Sequence, residues 1–194
     1  MRKIIFTLIV SFFATSNFAQ KVESNNVNNG IRRISTKETT INLSNDFNIK
    51  LELFLDNDNN EQFFIKGESE INEYHNIPEH GKLMFKTFDG SIIELTACYS
   101  ELSQVSETSW MPTAYYPISK DNLDKIIEGI AKIRVELLSY NKKEKSVYTD
   151  IQDIDYKKDK VGEKISLMCQ AINKEVEKIK KNNSSLNIDA TAGF

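Results

Sequence analysis

Apolar residues occupy every odd position from 47 to 55, and this pattern restricts the fold more than any other feature of the chain. A period of two is the mark of a β-strand with one buried face, because successive side chains point to opposite sides of a sheet. The even positions include Lys50 and Glu52, which we expect on the other face. The apolar set predicts a core strand through Phe47, Ile49, Leu51, Leu53 and Leu55.

Neighbouring segments extend this strand into a sheet. A polar cluster at 56–60 predicts a turn, and residues 62–66 resume as a strand. Residues 31–42 contain three threonines and three isoleucines, residue types that favour strands. We therefore predict a further strand there.

A second hairpin is predicted from residues 83–88 and 91–97. The pair Asp89-Gly90 stands between these two segments. Asp-Gly is favoured in type I′ turns, in which both central residues need a positive φ. We expect such a turn at this place.

The middle of the chain is less regular. Pro112 and Pro117 lack the amide proton that a central strand needs, so any strand within 101–117 is expected at an edge. Ser119 is a typical helix N-cap, and Gly129 is a typical C-terminal stop. A short helix is therefore predicted between them.

The last third predicts two strands and a long helix. Strands are expected at 130–138 and 146–151, joined by a polar turn, and a helix at 159–181. Strands first and helices later favour an α+β domain with a mainly antiparallel sheet, on which the last helix packs. The apolar residues of that helix recur at spacings of three and four: Ile165, Met168, Cys169, Ile172, Val176 and Ile179.

The first 19 residues have the layout of a secretory signal peptide. Arg2 and Lys3 precede an apolar run at 4–13, and a segment of mainly small and polar residues follows up to Ala19. A membrane anchor is less suitable, because a bilayer span needs about 20 apolar residues. The resulting expectation is export to the periplasm or the exterior.

The predicted cleavage site and domain limits follow from this layout. Cleavage after Ala19 or after Ser16 fits the pattern, and no cysteine lies near either position, which disfavours a lipid anchor. Polar residues at 20–30 predict a flexible lead-in, and 182–194 a flexible tail. One α+β domain is expected over 31–181.

Charge excludes one class of partner. The chain has 25 basic and 28 acidic residues, a net charge of -3. Residues 1–19 hold two of the basic residues and none of the acidic ones, so their removal gives -5. Nucleic-acid binding normally needs a basic face, so we expect no nucleic-acid partner.

No segment after residue 19 is apolar for long enough to span a membrane, so a soluble exported protein is expected.

Two cysteines leave two alternatives open. Exported proteins meet an oxidising environment, in which Cys98 and Cys169 would be a candidate disulfide joining the last helix to the sheet. The alternative is two thiols packed as small apolar groups. Spacing alone does not show whether the two residues meet.

Four residues in the irregular middle segment are candidates for a binding surface. Trp110, Met111, Tyr115 and Tyr116 would form an exposed aromatic group if they lie on a loop. Aromatic rings in such places stack on sugars or anchor protein interfaces. Their alternative role is to cover one end of the core.

The sequence contains no complete metal-binding motif and no catalytic motif. Asp56, Asp58 and Asn60 resemble the start of a calcium loop, but the sixth and twelfth positions hold Glu and Gly instead of Gly and Glu. His75 and His80 do not have the spacing of a zinc motif. No catalytic fingerprint is present, so catalytic residues are unknown and neither metal nor cofactor is predicted.

Segment 80–140, about a third of the chain, contains three short motifs: Gly81-Lys82-Leu83 before the Asp89-Gly90 pair, Tyr116-Pro117-Ile118-Ser119, and Lys132-Ile133-Arg134. In these motifs the segment resembles a group of small exported proteins of Gram-negative bacteria whose function is unknown. The resemblance implies an envelope or secreted module and brings no active site with it.

These observations favour a non-catalytic binding or structural module of the cell envelope. Its expected partner is an envelope protein or a glycan, contacted through the aromatic group. The alternative hypothesis is a secreted or periplasmic hydrolase with an unidentified active site.

Overall fold

The described strands and helices confirm an α+β protein. A computed structural model describes residues 22–42, 46–58, 60–69, 75–107, 109–155 and 160–191. The predicted signal peptide, residues 1–19, lies outside them. In chain order the elements are β1 (Val22–Asn28), β2 (Ile31–Thr36), β3 (Thr39–Asn42), β4 (Asp46–Leu55), β5 (Glu61–Ser69), β6 (His75–Asn76), β7 (Lys82–Thr87), β8 (Ile92–Thr96), β9 (Tyr99–Gln104), β10 (Trp110–Ile118), α1 (Lys120–Glu128), β11 (Ile130–Asn141), β12 (Ser146–Asp155) and α2 (Val161–Thr191).

These strands form two antiparallel sheets. The seven-stranded sheet has the order β1-β2-β4-β5-β10-β9, and β3 pairs with β4 beside β2. The five-stranded sheet has the order β12-β11-β7-β8, and β6 pairs with β11. The backbone passes from the second sheet to the first at Cys98, whose amide donates to the carbonyl of Tyr115 at 2.9 Å.

The alternation of β4 is confirmed. Its odd positions are at most 4% exposed and face the core, whereas most of its even side chains are partly exposed on the other side. Leu51 lies opposite Ile65 and Leu53 opposite Phe63 on β5, so both strands turn their apolar positions the same way. We call the side of this sheet turned away from the core its outer face.

Helix α2 belongs to the same core as both sheets. Ile165, Met168 and Ile172 are 1% exposed or less, and the helix contacts β4 in one sheet and β11 in the other. The prediction that the last helix packs on the sheet is therefore confirmed. It also packs against α1, where the buried Ser166 hydroxyl donates to the carbonyl oxygen of Ile126 at 2.7 Å.

Helix α1 has the predicted ends. The Ser119 hydroxyl accepts from the amide of Asn122, and Gly129 ends the helix with a φ of 132°. The strand expected at 130–138 extends to Asn141, and the one at 146–151 extends to Asp155.

Both terminal segments are more regular than expected. Most of the predicted lead-in forms β1, which pairs with β2 through its backbone and needs no apolar alternation for that. The hydroxyls of Ser24 and Ser35 lie 2.7 Å apart across this pair, and the Asn25 amide donates to Glu175 of α2 at 3.1 Å. The predicted tail continues α2 to Thr191, since lengthening an existing helix fixes only one residue for each new hydrogen bond.

The turn at Asp89-Gly90 is not type I′. Only Gly90 has a positive φ, at 89°, and Asp89 does not. The amide of Thr87 donates to the carbonyl of Ser91, and the amide of Gly90 to the carbonyl of Thr87. The hairpin therefore has a three-residue loop that ends in a left-handed glycine, which is the next most common hairpin connection.

The expectation of an edge strand at the prolines is wrong. Strand β10 lies between β5 and β9. Pro112 is paired only with β9, opposite Leu102, and Pro117 only with β5, opposite Phe64. Each proline is thus paired with a strand on one side only. Its missing amide proton is tolerated there, as it is on an edge strand.

Gly67 tests the packing of the first sheet. A Cβ at this position would lie 2.5 Å from Cζ of the Phe47 ring. We expect Gly67→Ala to lower the free energy of unfolding by about 1–3 kcal/mol, as overpacked core sites do. Urea unfolding measures this, with Phe47→Leu as the companion variant. The loss should shrink when both changes are combined, and additive losses would contradict the contact.

Asp153 tests the pairing of β11 with β12. Hydrogen bonds from Arg134 at 2.6 Å and Lys132 at 2.8 Å hold its pKa well below the ordinary range. A lowered pKa stabilises the folded chain above the unfolded pKa of about 3.9, and this contribution is lost as the pH falls below it. The difference in urea midpoint between wild type and Asp153→Asn should therefore be larger at neutral than at acid pH.

Asp150 supplies the control for that measurement. It lies on the same strand and accepts from the Gln152 amide instead of a cation. Asp150→Asn should leave the pH dependence of the midpoint close to that of the wild type. An equal effect of both substitutions would contradict the role of the cationic partners.

Candidate binding surface

The four predicted aromatic-group residues lie on a strand rather than on a loop. All belong to β10, where alternation sends Trp110 and Tyr116 to one face and Met111 and Tyr115 to the other. Trp110 is 41% exposed and Tyr116 is fully buried. The prediction that they form one exposed group is therefore wrong, because it assumed a loop without alternation.

Tyr116 is a core residue. Its hydroxyl is buried and makes no hydrogen bond with any residue that the structure describes. Burial raises the pKa of this phenol, and the nearby charge of Glu136 raises it further. For this residue the alternative role, covering the core, is the one the structure has.

Tyr115 belongs to a different group of rings on the outer face. It lies beside Tyr99 of β9, with ring centroids 6.1 Å apart, and beside Phe64 of β5 at 6.5 Å. Phe64 in turn lies 5.6 Å from Phe54 of β4. We call Tyr99, Tyr115, Phe64 and Phe54 the aromatic row, which crosses four neighbouring strands.

Two cations lie over this row. The Arg33 guanidinium is 5.5 Å from the centre of the Phe54 ring, and Lys66 Nζ is 5.6 Å from that of Tyr115. Such placements are attractive because the face of an aromatic ring is negative. The row therefore carries positive charge on its surface.

Carboxylates beneath the cations hold them in place. Glu52 is fully buried and accepts from Arg33 Nη2 at 2.7 and 2.8 Å and from Nε at 3.2 Å. Lys50 Nζ lies 3.8 Å from the same carboxylate, and Lys66 pairs with the nearly buried Glu68. A buried carboxylate requires such partners, so the cluster is fixed in position.

The pKa values reflect this pairing. The hydrogen bond to Glu52 raises the pKa of Arg33. Burial alone would lower the pKa of Lys66, but its hydrogen bond and attraction to Glu68 raise it overall. Both groups are therefore charged at neutral pH.

A depression of about 440 Å³ adjoins the row at Phe64. Phe64 forms part of its wall, together with Pro117 and Lys120. Pro117 is exposed opposite Phe64, so the depression continues the outer face toward α1. A ligand on the row would have room to extend in this direction.

The two cysteines do not form a bridge. Both thiols are free in the structure, with Cys98 exposed and Cys169 buried on α2. Cys98 Sγ lies 3.4 Å from the carbonyl oxygen of Tyr115, and burial raises the pKa of Cys169 to about 12. Of the two alternatives, two separate thiols is the one found, although only Cys169 is packed in the core.

The remaining polar motifs form ordinary local structure. The Asp56 carboxylate accepts from the amides of Asp58 and Asn60, as in a polar turn. His80 is exposed, and the backbone of His75 pairs with β11. Within the described residues no group of three or more potential ligands could hold a metal ion.

Comparison with protein-family models, curated proteins and solved structures found no match to this chain. The resemblance to small exported proteins therefore stays a prediction. Among the described helices, none combines the length and the apolar character needed to cross a membrane.

Sequence reasoning missed most of the row. Phe54 and Phe64 occupy positions on the outward-facing side of strands that otherwise place polar residues there. Large apolar residues on the polar side of an alternating strand were the available signal. Tyr99 carried no such signal, because its strand lacks apolar alternation.

Arg33 tests the charge cluster. Arg33→Gln leaves the buried Glu52 carboxylate with weaker partners. We therefore expect this substitution to lower the free energy of unfolding by about 2 kcal/mol. Arg32→Gln is the matched control, since Arg32 is on the same strand and donates to the exposed side chain of Asn25 at 3.3 Å, with no carboxylate beneath it in the described residues. We expect Arg32→Gln to lower the free energy of unfolding by about 0.5 kcal/mol or less. Equal losses in urea unfolding would contradict a special role for Arg33.

Proposed function

We propose that the chain is an exported binding module that contacts its ligand through the aromatic row. The observation that carries the proposal is the continuity of the row across four strands on an outer face. Tyr99 is exposed, and Phe54, Phe64 and Tyr115 are partly exposed. Aromatic groups at a polar surface are typical of interaction sites. The cations over the rings add fixed polar contacts.

Export rests on residues 1–19. Their basic start, apolar run and small residues before position 20 support cleavage and transport to the periplasm or the exterior. An envelope glycan or envelope protein is then the ligand within reach. We expect N-terminal sequencing of the chain from its producing cells to begin at Gln20, or at Asn17 if the other site is used. An intact Met1 would contradict export by this route.

Tyr99 supplies the test of the binding surface. Tyr99 is 54% exposed, so Tyr99→Ala removes contact area without opening the core. Aromatic anchors of binding sites commonly contribute about 2 kcal/mol or more. We expect retention of envelope glycan or protein on the immobilised chain to fall by at least about tenfold.

Trp110→Ala is the matched control for that experiment. Trp110 is another exposed aromatic residue, on β10 beside β9, but it belongs to the opposite face of the sheet. Retention should be unchanged by this substitution. Loss of retention in Trp110→Ala with none in Tyr99→Ala would refute the proposed surface, and circular dichroism checks that both variants fold.

A further inference from the structure

The charges around Glu52 lie at different depths in the outer face. Glu52 is fully buried, whereas the side chains of its partners Arg33 and Lys50 are 47% and 22% exposed. A ligand approaching this part of the face therefore meets the Arg33 guanidinium and the Lys50 ammonium before it meets the Glu52 carboxylate. Lys66 and Glu68 lie deeper and are almost equally exposed, at 13% and 11%.

The cluster also has more cations than carboxylates. Arg33, Lys50 and Lys66 face Glu52 and Glu68, and Lys50 lies directly opposite Lys66 on the neighbouring strand. At the far end of the row, Glu101 accepts a hydrogen bond from the Tyr99 hydroxyl. The cluster of Arg33, Lys50, Lys66, Glu52 and Glu68 thus has one positive charge in excess, on a chain whose net charge is negative.

The direction of the row favours a carbohydrate over a peptide strand. A peptide that joins a sheet runs along an edge strand and bonds to its backbone. The aromatic row instead crosses β9, β10, β5 and β4, with ring separations of 5.6–6.5 Å that are comparable to the length of a sugar unit. Neighbouring rings are inclined to one another by 84°, 81° and 48°, so a ligand along the row meets ring edges as well as ring faces. Sugar rings present both C–H groups, which pack on aromatic faces, and hydroxyl groups.

We infer that the outer face binds an acidic carbohydrate, whose sugar rings contact the aromatic row and whose anionic groups meet Arg33 and Lys50. This inference rests on the proposed function and specifies its ligand. Carboxylate and sulfate groups share the required chemistry, because each accepts several hydrogen bonds from ammonium and guanidinium donors.

Matched pairs of glycans test the charge requirement. We would measure binding of a short oligogalacturonate and of its methyl ester, which keeps the sugar chain and removes the charge. Dextran sulfate and plain dextran form the second pair. We expect the acidic member of at least one pair to bind about tenfold or more tightly than its neutral partner, and salt to weaken that binding.

Lys50→Gln tests the position of the anionic groups. Its ammonium makes one contact of 3.8 Å to Glu52, so its loss should leave the fold intact. We expect several-fold weaker binding of the acidic glycan, and abolished binding in Tyr99→Ala. Lys86→Gln, an exposed lysine of β7 in the other sheet, should bind as the wild type does.

Other results would overturn the inference in distinguishable ways. Equal binding of the acidic and neutral members would refute the acidic ligand and leave the proposed binding surface standing. Acidic binding unaffected by Lys50→Gln and Tyr99→Ala would refute both. Retention of envelope material that depends on Tyr99, without binding to any of these glycans, would refute only the acidic carbohydrate.

Discussion

Burial of one face of α2 holds the two sheets in a single core. Ile165, Met168 and Ile172 are nearly or fully inaccessible to solvent, and each such side chain contributes about 1.5–3 kcal/mol on leaving water. The helix contacts β4 of one sheet and β11 of the other. The bond from Ser166 to Ile126 also joins α1 to it. The inner faces of both sheets therefore depend on the same helix for cover.

The fold could be predicted where burial acts locally. Strand β4 and helix α2 each turn one face to the core, so their sequences carry the period of two or of 3.6 residues. Strand β1 could not be predicted in this way, because backbone pairing with β2 holds its polar sequence. For β10 the two prolines indicated an edge strand. They are tolerated between two strands because β9 pairs with only the first part of β10 and β5 with only the last part, so each proline is paired on one side.

The candidate surface was less predictable than the fold. Trp110, Met111, Tyr115 and Tyr116 are close in sequence, but strand alternation separates them onto two faces. The aromatic row is assembled from four strands that are distant along the chain, and its order depends on which strands become neighbours. Sequence proximity therefore included one member of the row and omitted the other three.

The order of the elements along the chain has a consequence for biosynthesis. A ribosome delivers the described strands of both sheets before α2, the helix that covers them. The inner faces of the sheets therefore stay without this cover until α2 has emerged. The packing of the two sheets into one core must then be acquired after α2 has been made, and not while the strands are being synthesised.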